Sequence, residues 1–188
     1  MAGKRRTRVL LFSGHMIDAP ERPEPRFPPA LEPAAAHAIA AELDALTVGP
    51  EDTAIASAAC GGDTLFDEAA LARGASLTVY LPFDETRFLK ESVAFADARW
   101  VERFHTVMAR ARCRIALDVL GPLPPGTDPY ERVNLWMLDD AKRAGADQIV
   151  FICLWNGKGG DGPGGTQHMM DAVRSAGGET HWIDLRTL

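Results

Sequence analysis

The chain has 188 residues, 46% of them hydrophobic and 24% charged, with a formal net charge of −6 at pH 7. This length suits a single α/β domain over residues 1–188, whose core needs no disulfide or metal staple. The acidic balance argues against a nucleic-acid binder held by bulk electrostatics.

No apolar run approaches the roughly 20 residues that span a bilayer. No signal peptide is evident, because Met1 to Arg8 is polar and no cleavage site follows an apolar region. The short basic cluster Lys4-Arg5-Arg6 reads as a solvated terminus. Three cysteines, Cys60, Cys113 and Cys153, are widely separated and odd in number. They read as reduced and mostly buried, which implies a cytoplasmic protein. No zinc spacing occurs, and the sequence calls for neither a metal nor a cofactor.

In chain order, Thr7–Phe12 is the first strand, stopped by Ser13-Gly14-His15. A proline-rich loop runs to Pro33, and Ile39, Leu43 and Leu46 mark the first helix. Thr53–Ser57 is the second strand, and Leu65, Phe66, Ala69 and Ala70 begin a helix that Gly74 ends. Leu77–Leu81 is the third strand, closed by Pro82. Trp100, Val101, Phe104, Val107, Met108 and Ala111 form an amphipathic helix, and Cys113–Leu117 a fourth strand. Val133, Trp136, Met137 and Ala141 define a helix ended by Gly145. Gln148–Leu154 is the fifth strand, Met169, Met170, Val173 and Ala176 have helical spacing, and Glu179–Asp184 is the last strand.

This alternation predicts an α/β, doubly wound, mainly parallel sheet with helices on both faces. In such sheets ligands sit at the carboxyl ends of the strands, where the strand order reverses. The loops after Phe12, Ser57 and Leu154 are therefore expected to converge on one cleft. The third of these loops, Trp155 to Gln167, is glycine-rich and precedes a helix N-terminus, an arrangement suited to phosphate or another anion. It matches neither the dinucleotide nor the P-loop pattern, and a plain surface connection fits it as well.

Three segments together resemble the SLOG superfamily, the Rossmann-like group that includes the LOG phosphoribohydrolases and DprA-like proteins. They are Ser13-Gly14-His15 after the first strand, Ala58-Ala-Cys-Gly61-Gly62-Asp63 after the second, and Gly162-Pro163-Gly164-Gly165-Thr166 before the last helix. The resemblance implies binding of a nucleotide or nucleotide-sugar at these loops, for sensing and signalling, or cleavage of an N-glycosidic bond. The LOG motif reads P-G-G-x-G-T-x-x-E. With Thr166 on its threonine, Met169 stands at the glutamate's place, which favours binding over hydrolysis.

Candidate ligand-binding residues are Ser13, Gly14, Arg22, Arg26, Gly61, Gly62, Gly164, Gly165 and Thr166. Arg22 and Arg26 lie where a stiff loop can clamp a phosphate, or where prolines merely stiffen a solvated surface. Candidate catalytic residues are Asp63, Glu131 and His15. Asp63 either accepts from sugar hydroxyls or caps the helix that follows it. Glu131 begins its helix and is placed to enter the pocket, whereas Asp139 and Asp140 are expected to face solvent. His15 and Asp18 stand just beyond the first strand. Cys60 lacks a partner histidine, and Trp100 and Trp155 serve either as stacking surfaces or as core. The oligomeric state is open, a homo-oligomer included.

Overall fold

In the computed structural model, which describes residues 7–144, 148–159 and 165–188, six strands form one sheet in the order β4-β3-β2-β1-β5-β6. The strands are β1 (Arg8–Gly14), β2 (Thr53–Ala56), β3 (Ser76–Leu81), β4 (Arg112–Ile115), β5 (Gln148–Trp155) and β6 (Glu179–Asp184). Every adjacent pair is parallel. The connecting helices are α1 (Glu32–Ala45), α2 (Gly62–Ala72), α3 (Glu85–Ser92), α4 (Ala98–Met108), α5 (Ala116–Leu120), α6 (Pro129–Arg143) and α7 (Thr166–Ser175). No helix among the described residues is long and apolar enough to cross a membrane.

The period of two along β1 sorts its residues between two apolar layers. Leu10 and Phe12 face α1, α2 and α4, packing with Ile39, Leu43, Phe66, Trp100 and Phe104. Val9 and Leu11 face α6 and α7, packing with Trp136, Met137, Met169 and Val173. Both faces are covered, so the sheet is doubly wound and Rossmann-like. Strands β2, β3 and β4 build outward on one side of β1, and β5 and β6 on the other. The direction therefore reverses at the carboxyl ends of β1 and β5.

Several boundaries differ from the sequence reading, each for a local reason. β1 runs through Gly14 because β5 continues beside it, pairing Ser13 with Cys153 and Gly14 with Leu154. The fourth strand stops at Ile115 rather than Leu117, because its neighbour β3 ends at Leu81 and Pro82 has no N–H to offer. The chain turns instead into α5. β4 is an edge strand, so Cys113 is exposed rather than buried. α3 escaped detection because it buries little beyond Phe88. Its start is fixed by Asp84, which accepts from Arg87 N at 3.0 Å. Gly74 sits just past α2 with a positive φ of 80°, the conformation expected of a glycine that ends a helix. Gly145 lies outside the described residues.

The loops after β1 and β2 are joined backbone to backbone. Gly62 N donates to His15 O at 3.0 Å, and Ile17 N donates to Cys60 O at 3.1 Å. Met16 and Gly61 form an antiparallel bridge. Gly61 adopts φ 109°, and a Cβ there would lie 2.6 Å from Ile17 N. A Cβ on Gly62 would lie 3.0 Å from Gly14 Cα. Backbone strain and this collision both oppose any side chain at Gly61. Gly61→Ala is expected to cost about 2 kcal/mol of stability in urea unfolding. A loss under about 0.5 kcal/mol would refute the account of this seam.

Candidate functional site

The seam fixes the first turn of α2 against the end of β1. Gly61 occupies the N-cap position, and no side chain caps the helix. Asp63 is thus not a cap. Its Oδ1 accepts from Gly14 N at 3.3 Å, and the Ala59 backbone also donates to it. Burial pushes the Asp63 carboxyl up to about 7. One turn further, Asp67 is fully buried, and neither of its carboxylate oxygens has a hydrogen-bond partner among the described residues. Burial, then the proximity of Asp63 and Glu68, pushes its carboxyl well above the ordinary range.

Asp63 lines a cavity of about 240 Å³ at the carboxyl ends of β1, β2 and β3. Ser13, Gly14 and Ser57 form its strand side, while Met16, Pro82 and Phe88 supply apolar surface. The opposite wall is α6, which presents Tyr130, Val133 and Asn134. Positions i, i+3 and i+4 share one helix face. The start of α6 is set by Asp128, which accepts from Tyr130 N and Glu131 N, followed by Pro129 in the first turn. Tyr130 is held by its hydroxyl, 2.9 Å from Ser92 Oγ, and by an edge-on contact with Phe83. Ser57 Oγ donates to Tyr80 O at 3.0 Å. Sequence reasoning missed Ser57, Tyr130 and Asn134. The i, i+4 polar pair beside Val133 was the available signal.

Glu131 does not enter this cavity. It follows Tyr130 by one residue, which turns it about 100° around the helix. It is half-buried on the first turn and is not part of the wall. Ser13 and Gly14 do meet Gly61 and Gly62, as expected, but the last two serve mainly to bring two backbones together. Gly165 is the N-cap of α7 and Thr166 its first residue, neither lining this cavity. Gly164 lies outside the described residues. Trp100 and Trp155 are both buried as packing residues, and burial pushes the Cys60 thiol up to about 12. Asp140 is not solvated as expected: it accepts from Tyr80 OH and pairs with Arg114.

Across β1, the proline-rich loop is anchored rather than free. Asp18 Oδ2 accepts from Arg26 N at 2.8 Å and Phe27 N at 2.9 Å, and Phe27 is fully buried. Asp18 thus organises the loop. Arg22 is not a free clamp: Nε donates to Glu24 O at 3.0 Å and lies 3.4 Å from Asp18. Arg26 differs, since its Nε is buried with no hydrogen-bond partner. His15 Nε2 is 3.0 Å from Asn156 Oδ1, which also accepts from Lys158 N at 3.0 Å. The second bond fixes the amide orientation, so His15 Nε2 is the donor. Burial, and then nearby Arg26, lowers the His15 pKa against the opposing pull of Asn156 and Asp18. Asn156 and Lys158 were also missed in the sequence.

A larger cavity of about 450 Å³ lies between this loop and α4. Four prolines contribute to its lining, and four of its charged groups pair with each other, Arg22 with Asp18 and Arg99 with Asp97.

No protein-family model matches this chain, and no curated protein matches it. Among solved structures, it is similar to an uncharacterized protein from Agrobacterium tumefaciens C58 at 13% identity and a TM-score of 0.24. The match covers 98% of this chain and 65% of that one, so this chain spans under two thirds of that protein's length. A likeness at this level adds nothing to the reading of the site.

Asp63 has a testable consequence for stability. Its carboxyl is raised in the folded state, from 3.8 to about 7. The folded form therefore holds the proton more tightly than the unfolded chain. Stability from this group is full below the unfolded pKa and is lost as pH rises toward 7. Asp63→Asn is expected to reduce the fall in urea midpoint between pH 4 and pH 8. An identical pH slope in wild type and variant would overturn the assignment.

Proposed function

We propose that the carboxyl edge of this sheet binds a nucleotide or nucleotide-derived ligand, and that the chain acts as a recognition or sensing module. The observation that carries this reading is the Asp63 cavity at the carboxyl ends of β1, β2 and β3, on the β2 side of the strand-order reversal. It combines a buried carboxyl, the hydroxyls of Ser13 and Tyr130 and the Asn134 amide with the apolar surfaces of Met16, Pro82 and Phe88. A heterocycle and a sugar need that mixture: apolar contact for ring faces, a few placed polar groups for edges and hydroxyls. The cavity lies outside the carboxyl ends of the strands, the edge at which doubly wound sheets bind their ligands, and it shares β1 with the reversal point.

The hydrolytic alternative has one observation in its favour. A carboxyl near 7 on a cavity wall is suited to acid–base chemistry at neutral pH. Glycoside cleavage needs a second group to activate water or to stabilise the developing cation. Glu131 does not supply it, because it is absent from the wall. Recognition is therefore the better reading.

Purified full chain should be heated with nucleoside monophosphates, NAD and ADP-ribose in turn, with free base measured in parallel. At a concentration 100 times its dissociation constant, a ligand adds about 2.7 kcal/mol of stability. For a chain of this size that raises Tm by roughly 5–10 °C. Asn134→Trp, which fills the cavity from α6, should abolish the rise and leave the unliganded Tm within a few degrees. Absence of any shift across the panel would refute nucleotide recognition. Free base released by wild type and lost in Asp63→Asn would replace recognition with hydrolysis.

A further inference from the structure

We propose that a phosphoryl or pyrophosphoryl group is received on the β5 side of β1, by Arg26, Lys158 and Asn156, separately from the Asp63 cavity. This deepens the nucleotide reading and rests on it for the remainder of the ligand.

The three residues line a cavity of about 380 Å³ with Arg22 and Glu24, and a smaller adjoining one of about 230 Å³. What sets the group apart is that its donors are unspent. The Arg26 guanidinium has no ion pair or hydrogen bond among the described residues, and its Nε is shut away from solvent. Burial lowers its pKa, as expected of a cation that has lost water without gaining an anion. Arg22, four residues earlier, is already satisfied by Asp18 and Glu24 O. The sequence gives these two arginines equal standing; only Arg26 is left with capacity.

Lys158 likewise has no acidic partner for its ammonium among the described residues. Its backbone N–H is bound to Asn156 Oδ1, which fixes where the side chain leaves the loop. Asn156 is itself 7% exposed. Its Oδ1 is occupied by His15 and Lys158, so only the two amide N–H donors remain for the cavity that it lines. Three neighbouring side chains thus offer donors alone, and two of them are cations. Glu24 is the one acid in the lining.

The complementary ligand is an anion with several acceptor oxygens, and phosphate oxygens fit both a planar guanidinium and a point-charge ammonium. Placement is rigid. Asp18 clamps the Arg26 backbone, Phe27 anchors the next residue in the core, and Pro23 and Pro25 stiffen the approach. Preorganised donors of this kind bind without the ordering cost of a flexible loop.

The test uses the full chain with three probes, inorganic pyrophosphate, adenosine monophosphate and adenosine, by calorimetry at two salt concentrations. Wild type is expected to bind pyrophosphate more weakly at the higher salt. Arg26→Gln and Lys158→Met should each weaken binding about ten- to a hundredfold. Lys90→Gln, a charge-matched change at an exposed position on α3, should leave it unchanged. Lys158 is exposed, so its variant keeps the fold whatever happens at Arg26. Pyrophosphate that fails to bind wild type, or binds both variants as tightly as wild type, overturns the proposal. If both variants weaken adenosine monophosphate no more than adenosine, the phosphate assignment falls while nucleotide recognition stands. If pyrophosphate binding is lost in both variants but neither adenosine probe binds wild type, the anion site stands and the adenine-nucleotide form of the functional reading falls.

Discussion

The contact between Gly14 and Gly62 governs the geometry of the whole carboxyl edge. A β-carbon on either residue would come within about 3 Å of the other's backbone or of the Phe12 ring. Without side chains, the loops after β1 and β2 can exchange hydrogen bonds as if they were short strands. That approach brings the Asp63 carboxyl to Gly14 N and holds His15 at the end of β1. A wider spacing would free Asp63 to hydrate, and its carboxyl would return toward the ordinary range. The chemical character of the cavity thus follows from two backbones being allowed to touch.

The buried acids divide into those that build and those that stay uncompensated. Asp52 receives a two-pronged contact from Arg8, Nε at 3.1 Å and Nη2 at 2.8 Å, and also accepts from Gly49 N. Asp18 accepts two backbone N–H groups and closes the loop after β1. Asp52 exchanges solvation for hydrogen bonds on both oxygens, whereas Asp18 does so on Oδ2 and faces Arg22 at 3.4 Å with Oδ1. Asp67 has no such exchange, and Asp63 only a partial one. Of these two acids on successive turns of α2, Asp63 lines a cavity and Asp67 lines none of the cavities described above. Polar groups left unsatisfied are commonest where a fold serves a ligand rather than itself.

The alternation of strands and helices was legible because hydrophobic period and glycine punctuation agreed at nearly every junction. Val9, Leu10 and Leu11 read as a strand buried on both faces, and the two apolar layers confirm it. The glycines of the β1 and β2 loops were also legible as a meeting point. Their cause was less so, since a close backbone approach and an opening for a ligand leave the same mark in sequence. Distinctions that depend on partners distant in the chain were invisible. Arg22 and Arg26 look alike until Asp18 takes one of them. Asp140 looks solvated until Tyr80 and Arg114 reach it from neighbouring strands. Glu131 was misplaced by one residue's rotation about α6, an error that a helix converts into about 100°.

β1 separates two environments of opposite character. On the β2 side, groups are uncharged or hold protons tightly: Asp63 near 7, Asp67 raised well above the ordinary carboxyl range by burial, serines, a tyrosine and apolar surface. On the β5 side the uncommitted groups are cationic or amide donors. A ligand with a weakly polar body and an anionic end would match the pair, and neither half alone would distinguish it from its fragments. His15 stands between them, at the end of β1. Its Nε2–H is committed to Asn156, and burial, with Arg26 nearby, lowers the pKa of the ring. Burial is the larger cause of the lowered His15 pKa, and the Arg26 charge adds to it.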